Sequence, residues 1–342
     1  MRVQALRIVG IDVARGLAVL GMFIAHTYPR ADEAELIVDG RSAILFATLA
    51  GVSLGLLTGG ENPGRSSRAV ARRGVIIRAA FLFLLGVMLT LLPSHIAIIL
   101  DYYGIMFALM IPMLFLPRLA LSMLAALLAV AAPLAAAWVG AAGEQTGWTG
   151  VAVEYLLLGH YPALVWLPFL LVGLLCTRSG LTRPATQRWM VFGGALAMVL
   201  GYGTTLVIRS VTAEAHSGST AEVVGSGGFA IALIGILLWL DRFRASRLAL
   251  HPIAAAGSMP LTIYTLQILL LAGSVAFANA AAWVPDYPGL PLMFGLIIAS
   301  LVFSTVWRLL LGAGPLERML RFLAGFDRTA SNRTGRTGSR RR

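Results

Sequence analysis

The sequence predicts an all-α, polytopic integral membrane bundle of about ten transmembrane helices with both termini in the cytoplasm. Three observations predict it. The chain is 58% hydrophobic and only 12% charged, with mean hydropathy +0.83, well outside the range of soluble domains. Apolar runs follow one another from residue 8 to about 312, with short polar connections and no shift of composition that would mark a second domain. All 27 basic residues are arginines, and 24 of them fall on alternate connections, the bias that orients membrane helices.

A bilayer takes about 20 apolar residues per helix. That places spans near 8–27, 42–60, 74–92, 96–116, 119–139, 162–178, 189–208, 227–241, 253–278 and 290–312. Arg2 and Arg7 ahead of the first run mimic a signal peptide, but Asp12 and Arg15 interrupt it and no small-x-small site follows His26, so it reads as an uncleaved span. Arginines cluster at the N-terminus, at 61–78, at 178–188, at 242–247 and at 308–342, against only Arg30, Arg41 and Arg209 on the other side. Both termini are therefore cytoplasmic, in a multi-pass plasma-membrane protein. Residues 1–314 form one membrane domain. In 315–326, "GPLERMLRFLAGF" puts Leu316, Met319, Leu320 and Leu323 on one helical face, an amphipathic helix on the inner leaflet. The Arg-rich tail 327–342 reads as disordered.

The basic excess thus serves orientation, and no nucleic-acid partner is expected. Cys176 is the single cysteine, so there is neither a disulfide framework nor a metal-ligand spacing. No nucleophile elbow, HExxH or phosphate loop is present.

What chemistry there is lies inside the spans. In "GIDVARGLAVLGMFIAH", residues 10–26, the 100° step of a helix brings Asp12, Arg15 and His26 within about 60° of one another, with Arg15 and His26 about 16 Å apart along the axis. Ionisable groups in a span are costly unless they face protein or water, which makes this stripe a site. Asp12 and Arg15 also fit a local i, i+3 pair, and His26 an interfacial histidine. In the second span Ala47, Gly51, Gly55 and Gly59 recur every four residues, a ridge that lets a neighbour approach closely. The first helix is the expected neighbour, which leaves Arg41 and Ser42 near His26; Arg41 fits a snorkelling anchor equally well. "SHIAIILDYYGI" places Asp101, Tyr102 and Tyr103 in the outer half of span four, and "GHYPALVW" places His160 and Tyr161 at the mouth of span six. Tyrosines also populate interfacial belts without a task. "AAAGSMPLTIYTLQ" interrupts span nine at Gly257 and Pro260, with Tyr264 and Gln267 on one face beyond; proline in a span kinks it and frees backbone groups.

Taken together, "GIDVARGLAVLGMFIAH", "LDYYGI", "GHYPALVWLPFLLVGLL", "GSMPLTIYTLQ" and "GPLERMLR" resemble the transmembrane acyltransferases related to heparan-α-glucosaminide N-acetyltransferase, in particular their YeiB-like bacterial branch. The resemblance runs to about residue 324. It implies a homodimeric enzyme that takes an acyl group, usually acetyl, from cytoplasmic acyl-CoA and passes it to a sugar, glycan or similar small-molecule acceptor at the outer side, with acetyl-CoA as co-substrate and no metal. In the lysosomal branch the catalytic histidine lies further into the loop after the first span, where this chain has "TYPRADEAELIVDG" and no histidine. The role therefore passes to His26, as in more distant acyltransferases that keep a histidine at this helix end.

The expected site follows. His26 is the general base and Asp101 its carboxylate partner. Arg15 with Asp12, and Arg72, Arg73 and Arg78 beyond, hold the coenzyme A phosphates, which suit guanidinium forks. Arg41, Ser42, Tyr102, His160, Tyr264 and Gln267 face the acceptor. One continuous tunnel is expected to join the two ends. The competing class is a transporter or flippase for an anionic or acylated solute, gated by the kinked ninth span; a catalytically dead scaffold is the third. Membrane lipid surrounds all of them.

Overall fold

The computed structural model describes residues 8–29, 35–64, 68–143, 145–280 and 289–325. These form helices only: α1 Val9–Thr27, α2 Arg41–Leu57, α3 Arg68–Thr90, α4 Leu100–Met110, α5 Arg118–Ala141, α6 Gly147–Val153 continued by a π-helical turn Glu154–Leu158, α7 Ala163–Ser179, α8 Pro184–Val207, α9 Thr220–Leu240, α10 Arg244–Ala249, α11 His251–Ala256, α12 Pro260–Ala280, α13 Leu290–Leu310 and α14 Pro315–Leu323. The chain is a multi-pass membrane helix bundle. The tail expected to be disordered, 327–342, lies outside the described residues.

Seven of these helices, α1, α3, α5, α8, α9, α12 and α13, are long and apolar enough to cross a bilayer by themselves. The pair formed by α6 with its π turn and α7, bent by 43°, makes an eighth if counted as one span. Two of the ten expected spans come out shorter. The run at 42–60 gives the 17-residue α2, and that at 96–116 gives the 11-residue α4 between turns. Hydropathy does not separate an apolar run that faces lipid from one enclosed by protein. In α4 eight of the 11 residues are buried, and a short helix at membrane depth is tolerable only in such an enclosure.

The outer ring shows the opposite pattern. On α5, Leu119, Met123, Leu127, Val130, Leu134 and Trp138 are exposed at helical spacing, and α8 and α13 present similar rows. Such stripes are costly in water and at home against acyl chains.

The small-residue ridge of α2 packs on α7, not on α1. A Cβ on Gly51 would strike the Leu170 backbone, one on Gly55 the Thr177 side chain, and one on Gly173 the Thr48 carbonyl. Small residues on both helices permit this approach, and α1 has its own contact with α2, Gly21 against Ser42. Buried Arg178 extends the α2–α7 seam. Its guanidinium donates to the carbonyls of Gly55, Gly60 and Leu114 and to the Thr58 hydroxyl.

The ninth expected span breaks as its sequence indicates, at 257–259 between α11 and α12. Gly257 sits at the break because a side chain there would collide with the Asp12 carbonyl and the Gly16 amide of α1. The first amides of α12 find a partner in α14: those of Leu261 and Thr262 donate to Glu317 Oε1 at 2.8 and 3.2 Å, and the Thr262 hydroxyl donates to Oε2 at 2.6 Å. This is the carboxylate capping that a helix N-terminus favours. The expected apolar face of α14 is divided: Leu316 and Leu320 pack on the core, whereas Met319 and Leu323 are exposed.

Candidate active site

Two cavities lie along α1, an outer one at its C-terminal end beside His26 and an inner one at Arg15. The outer cavity, about 630 Å³, is lined by His26, His95, His160 and His216, four of the five histidines of the chain, together with Glu35, Asp39 and Glu214. The four histidines come from four separate stretches of sequence. His26 stands in the last turn of α1, while the others lie on connections between helices. His95 and His216 adopt left-handed backbone, φ 54° and 61°, a conformation that non-glycine residues hold only when their surroundings enforce it.

For His216 the enforcing contacts are visible. Its amide donates to Glu222 Oε1 at 2.7 Å, while Oε2 accepts from the Gly218 amide at 2.8 Å and the Ser217 hydroxyl at 3.2 Å. The Ser219 hydroxyl accepts from the Glu222 amide and starts α9. The His216 ring stacks on Trp166, 6.2 Å between centroids, and lies 5.5 Å from that of His160. Burial, and then the neighbouring His160, push its pKa below the usual histidine value, partly opposed by Asp39 and Glu35.

The partner of His26 is Gln267, whose Nε2 lies 3.0 Å from Nδ1 of the ring. Asp101, expected in that place, instead accepts a hydrogen bond at 3.0 Å from the Tyr155 hydroxyl of the π turn. The reason is the depth of α4: Gly86 of α3 admits the Asp101 backbone so closely that the residue is enclosed, 5% exposed, and Oδ1 has no hydrogen-bond partner among the described residues. Tyr102 packs on Tyr155 and Tyr161, at 4.9 and 5.8 Å between centroids. Arg41 is taken by Glu35 at 2.8 Å and by the Tyr202 hydroxyl at 2.8 Å, which ties α2 to α8 beside the outer cavity. Ser42 is buried against Gly21. Of the residues expected to face an acceptor, His160 lines the cavity and Gln267 adjoins it through His26. Tyr264 is buried on α12 and accepts from the Ile99 amide at 3.4 Å.

The inner cavity, about 250 Å³, has two cations, Arg15 and Arg78, with Ser53 and Glu317, on walls that are otherwise mostly apolar, including Leu49, Leu82 and Phe107. Arg15 donates to Asp12 at 3.1 Å and to the Ser53 hydroxyl at 2.7 Å. Asp12, 2% exposed, thus offsets the charge of Arg15 and would repel a phosphate. Arg72 and Arg73 are exposed and do not line the cavity; Arg72 lies over the Phe115 ring, 5.6 Å from its centroid.

The two cavities share no lining residue, so the single tunnel expected from the sequence is replaced by two chambers with a partition. The partition is thin. On the strand of chain entering α4, Ala97 lines the outer chamber and Leu100 the inner. On α12, Leu261 lines the inner chamber and Gln267 reaches His26, with Tyr264 between them. His95 and His216, with the carboxylates Glu35, Asp39 and Glu214 and with Ser53 and Glu317 of the inner chamber, are lining residues that sequence reasoning missed, because nothing in the local pattern of a loop histidine or carboxylate says which cavity it will join.

The model of the heparan-alpha-glucosaminide N-acetyltransferase catalytic domain matches residues 7–208, and that of a protein family of unknown function, DUF418, matches residues 174–326. No curated protein matches the chain. The first match contains Arg15 and His26 and the second contains Gln267, so the bond between His26 and Gln267 joins the two matched regions into one site.

Proposed function

Because the chain belongs to the family of the heparan-alpha-glucosaminide N-acetyltransferase catalytic domain, whose model covers more than half of it, we propose that it is a membrane acetyltransferase using acetyl-coenzyme A from the cytoplasm and an amino sugar or related acceptor at the outer side. The observation that carries this reading is His26, at the end of a buried helix, opening on one chamber while Arg15 of the same helix opens on the other.

The residues present fit the donor in kind. Arg15 and Arg78 would take the phosphates, and the apolar inner wall suits a pantetheine arm. The arginine bias supports a cytoplasmic orientation for that chamber. The outer chamber fits the acceptor: Glu35, Asp39 and Glu214 draw an ammonium in, it gives up one proton to solvent, and a neutral imidazole can then take a second proton from the attacking amine. In the step itself the acceptor nitrogen forms a bond to the thioester carbonyl carbon as its proton passes to His26. The carbon–sulfur bond breaks, and the thiolate leaves with that proton. Positioned proton transfer of this kind contributes about 10²–10⁴ in rate. The thioester reaches His26 by displacing the partition at Leu100 and Tyr264. Coenzyme A stays inside and the acetylated product leaves outside.

A carrier reading draws on one specific observation, the two separate chambers beside a broken helix. Purified protein given acetyl-labelled coenzyme A and glucosamine as probe acceptor distinguishes them. Label moving to the amine, and failing to move with His26→Ala, supports the enzyme; uptake of a solute with no label transferred overturns it.

A further inference from the structure

Gln267 is 1% exposed on α12, and its amide is the contact that the structure gives to Nδ1 of His26. The contact follows from register. The helices α1 and α12 run in the same direction, Gly257 is wedged between Asp12 and Gly16, and Gln267 meets His26. From Gly16 to His26 and from Gly257 to Gln267 is the same ten residues (26 − 16 and 267 − 257). The break at 257–259 therefore sets the height at which the amide meets the ring.

We propose that Gln267 is a positioning residue that holds His26 as a neutral base, with Nδ1–H donating to the amide oxygen and the basic lone pair on Nε2; this rests on the acetyltransferase reading. The oxygen and nitrogen of an amide are nearly isosteric, so the same heavy-atom geometry holds either histidine tautomer. With Nε2 of the amide toward the ring, Oε1 is buried and has no hydrogen-bond partner among the described residues. With the two ends exchanged, that oxygen accepts from Nδ1–H. An amide fixes the ring without stabilising the imidazolium, whereas a carboxylate in its place would raise the imidazole pKa and leave less of it unprotonated. Among the described residues, the charged and titratable groups that line the outer chamber beside the ring are Glu35, Asp39, His95, His160, Glu214 and His216.

The test uses the full chain in detergent, acetyl-coenzyme A and glucosamine as probe acceptor, with thiol release as readout. Gln267→Met should lower kcat about 10- to 100-fold, the cost of a misplaced catalytic group, with KM for acetyl-coenzyme A unchanged. Gln267→Glu should recover part of kcat at high pH and move the acid limb of the pH profile upward by about one unit. Independently of activity, ¹⁵N-histidine spectra, with His26→Ala to assign the ring, should show His26 protonated at Nδ1 in the wild type, and that preference lost in Gln267→Met. A wild-type ring protonated at Nε2, or a Gln267→Glu profile superimposable on the wild type, overturns the assignment even if Gln267→Met does not fold. If His26→Ala abolishes transfer while both Gln267 variants behave as wild type, the positioning role fails and the acetyltransferase reading stands. If His26→Ala keeps full transfer, both fail.

Discussion

The outer and inner chambers are built from different parts of the chain. The outer one takes its histidines and carboxylates mainly from connections, with only His26 supplied by a long helix. The inner one takes Arg15, Ser53 and Arg78 from the bodies of α1, α2 and α3 and leaves the rest of its wall mostly apolar. Loops can gather polar groups at a watery mouth, where unsatisfied backbone is tolerated. At depth each ionisable group needs a partner, and the Asp12–Arg15 pair is that partnership. A proton acceptor belongs in the first setting and a binding cleft for an amphipathic thioester in the second.

That contrast is open to breakage, and the largest effect should come from the outer end. His26→Ala should cut acetyl transfer by about 10²–10⁴ while the dissociation constant for coenzyme A, measured by calorimetry in detergent, stays as in the wild type. Equal damage to both would merge the chambers into one functional unit.

The inner end should behave in reverse. Arg15→Ala should weaken coenzyme A binding by about 1.5–3 kcal/mol, the worth of a charged hydrogen bond. Asp12→Asn should leave binding equal or tighter, since it removes a carboxylate that offsets the cation. If Asp12→Asn weakens binding as Arg15→Ala does, Asp12 is a contact of the ligand after all.

Between the two ends, Gly257→Ala should cost on the order of 1–3 kcal/mol of stability, because the added methyl meets the α1 backbone. Thermal melting in detergent reads this cost, and α12 shifting away from α1 should reduce transfer further. An unchanged melting temperature would show that the break does not set the register.

The smallest effect should be acid sensitivity of the outer rim. Burial disfavours the His216 imidazolium, so its folded pKa lies below the usual value of 6.5. As pH falls through that value the unfolded chain takes up the proton first. The stability is therefore complete above about 6.5 and declines below it. His216→Asn should flatten the melting temperature between pH 7 and 5, and an equal slope in both proteins would remove His216 as its source.

Much of the fold was legible because a membrane imposes simple rules. Eight of the ten expected spans, the break at Gly257 and Pro260 and the polar stripe of α1 follow from runs, prolines and helical period. The pairing of elements was less legible. The ridge of α2 could meet any helix with a matching notch, and Gly173 placed that notch on α7. Asp101 could be assigned to His26 by side of the membrane alone; only the close approach of α3 at Gly86 shows it turned to Tyr155.

By itself, then, the sequence determined that this chain is a multi-pass helical membrane protein, which runs are helical, where one span breaks and which helix carries both a cation and a histidine. Those are local properties, set by transfer into lipid and by the period of a single helix. The tertiary structure alone decided that His26 meets Gln267 241 residues away, that histidines from four stretches share a chamber and that this chamber is separate from the arginine-lined one. Contacts between distant segments depend on the rotation and height at which helices pack, and neither quantity is written into one helix's own pattern.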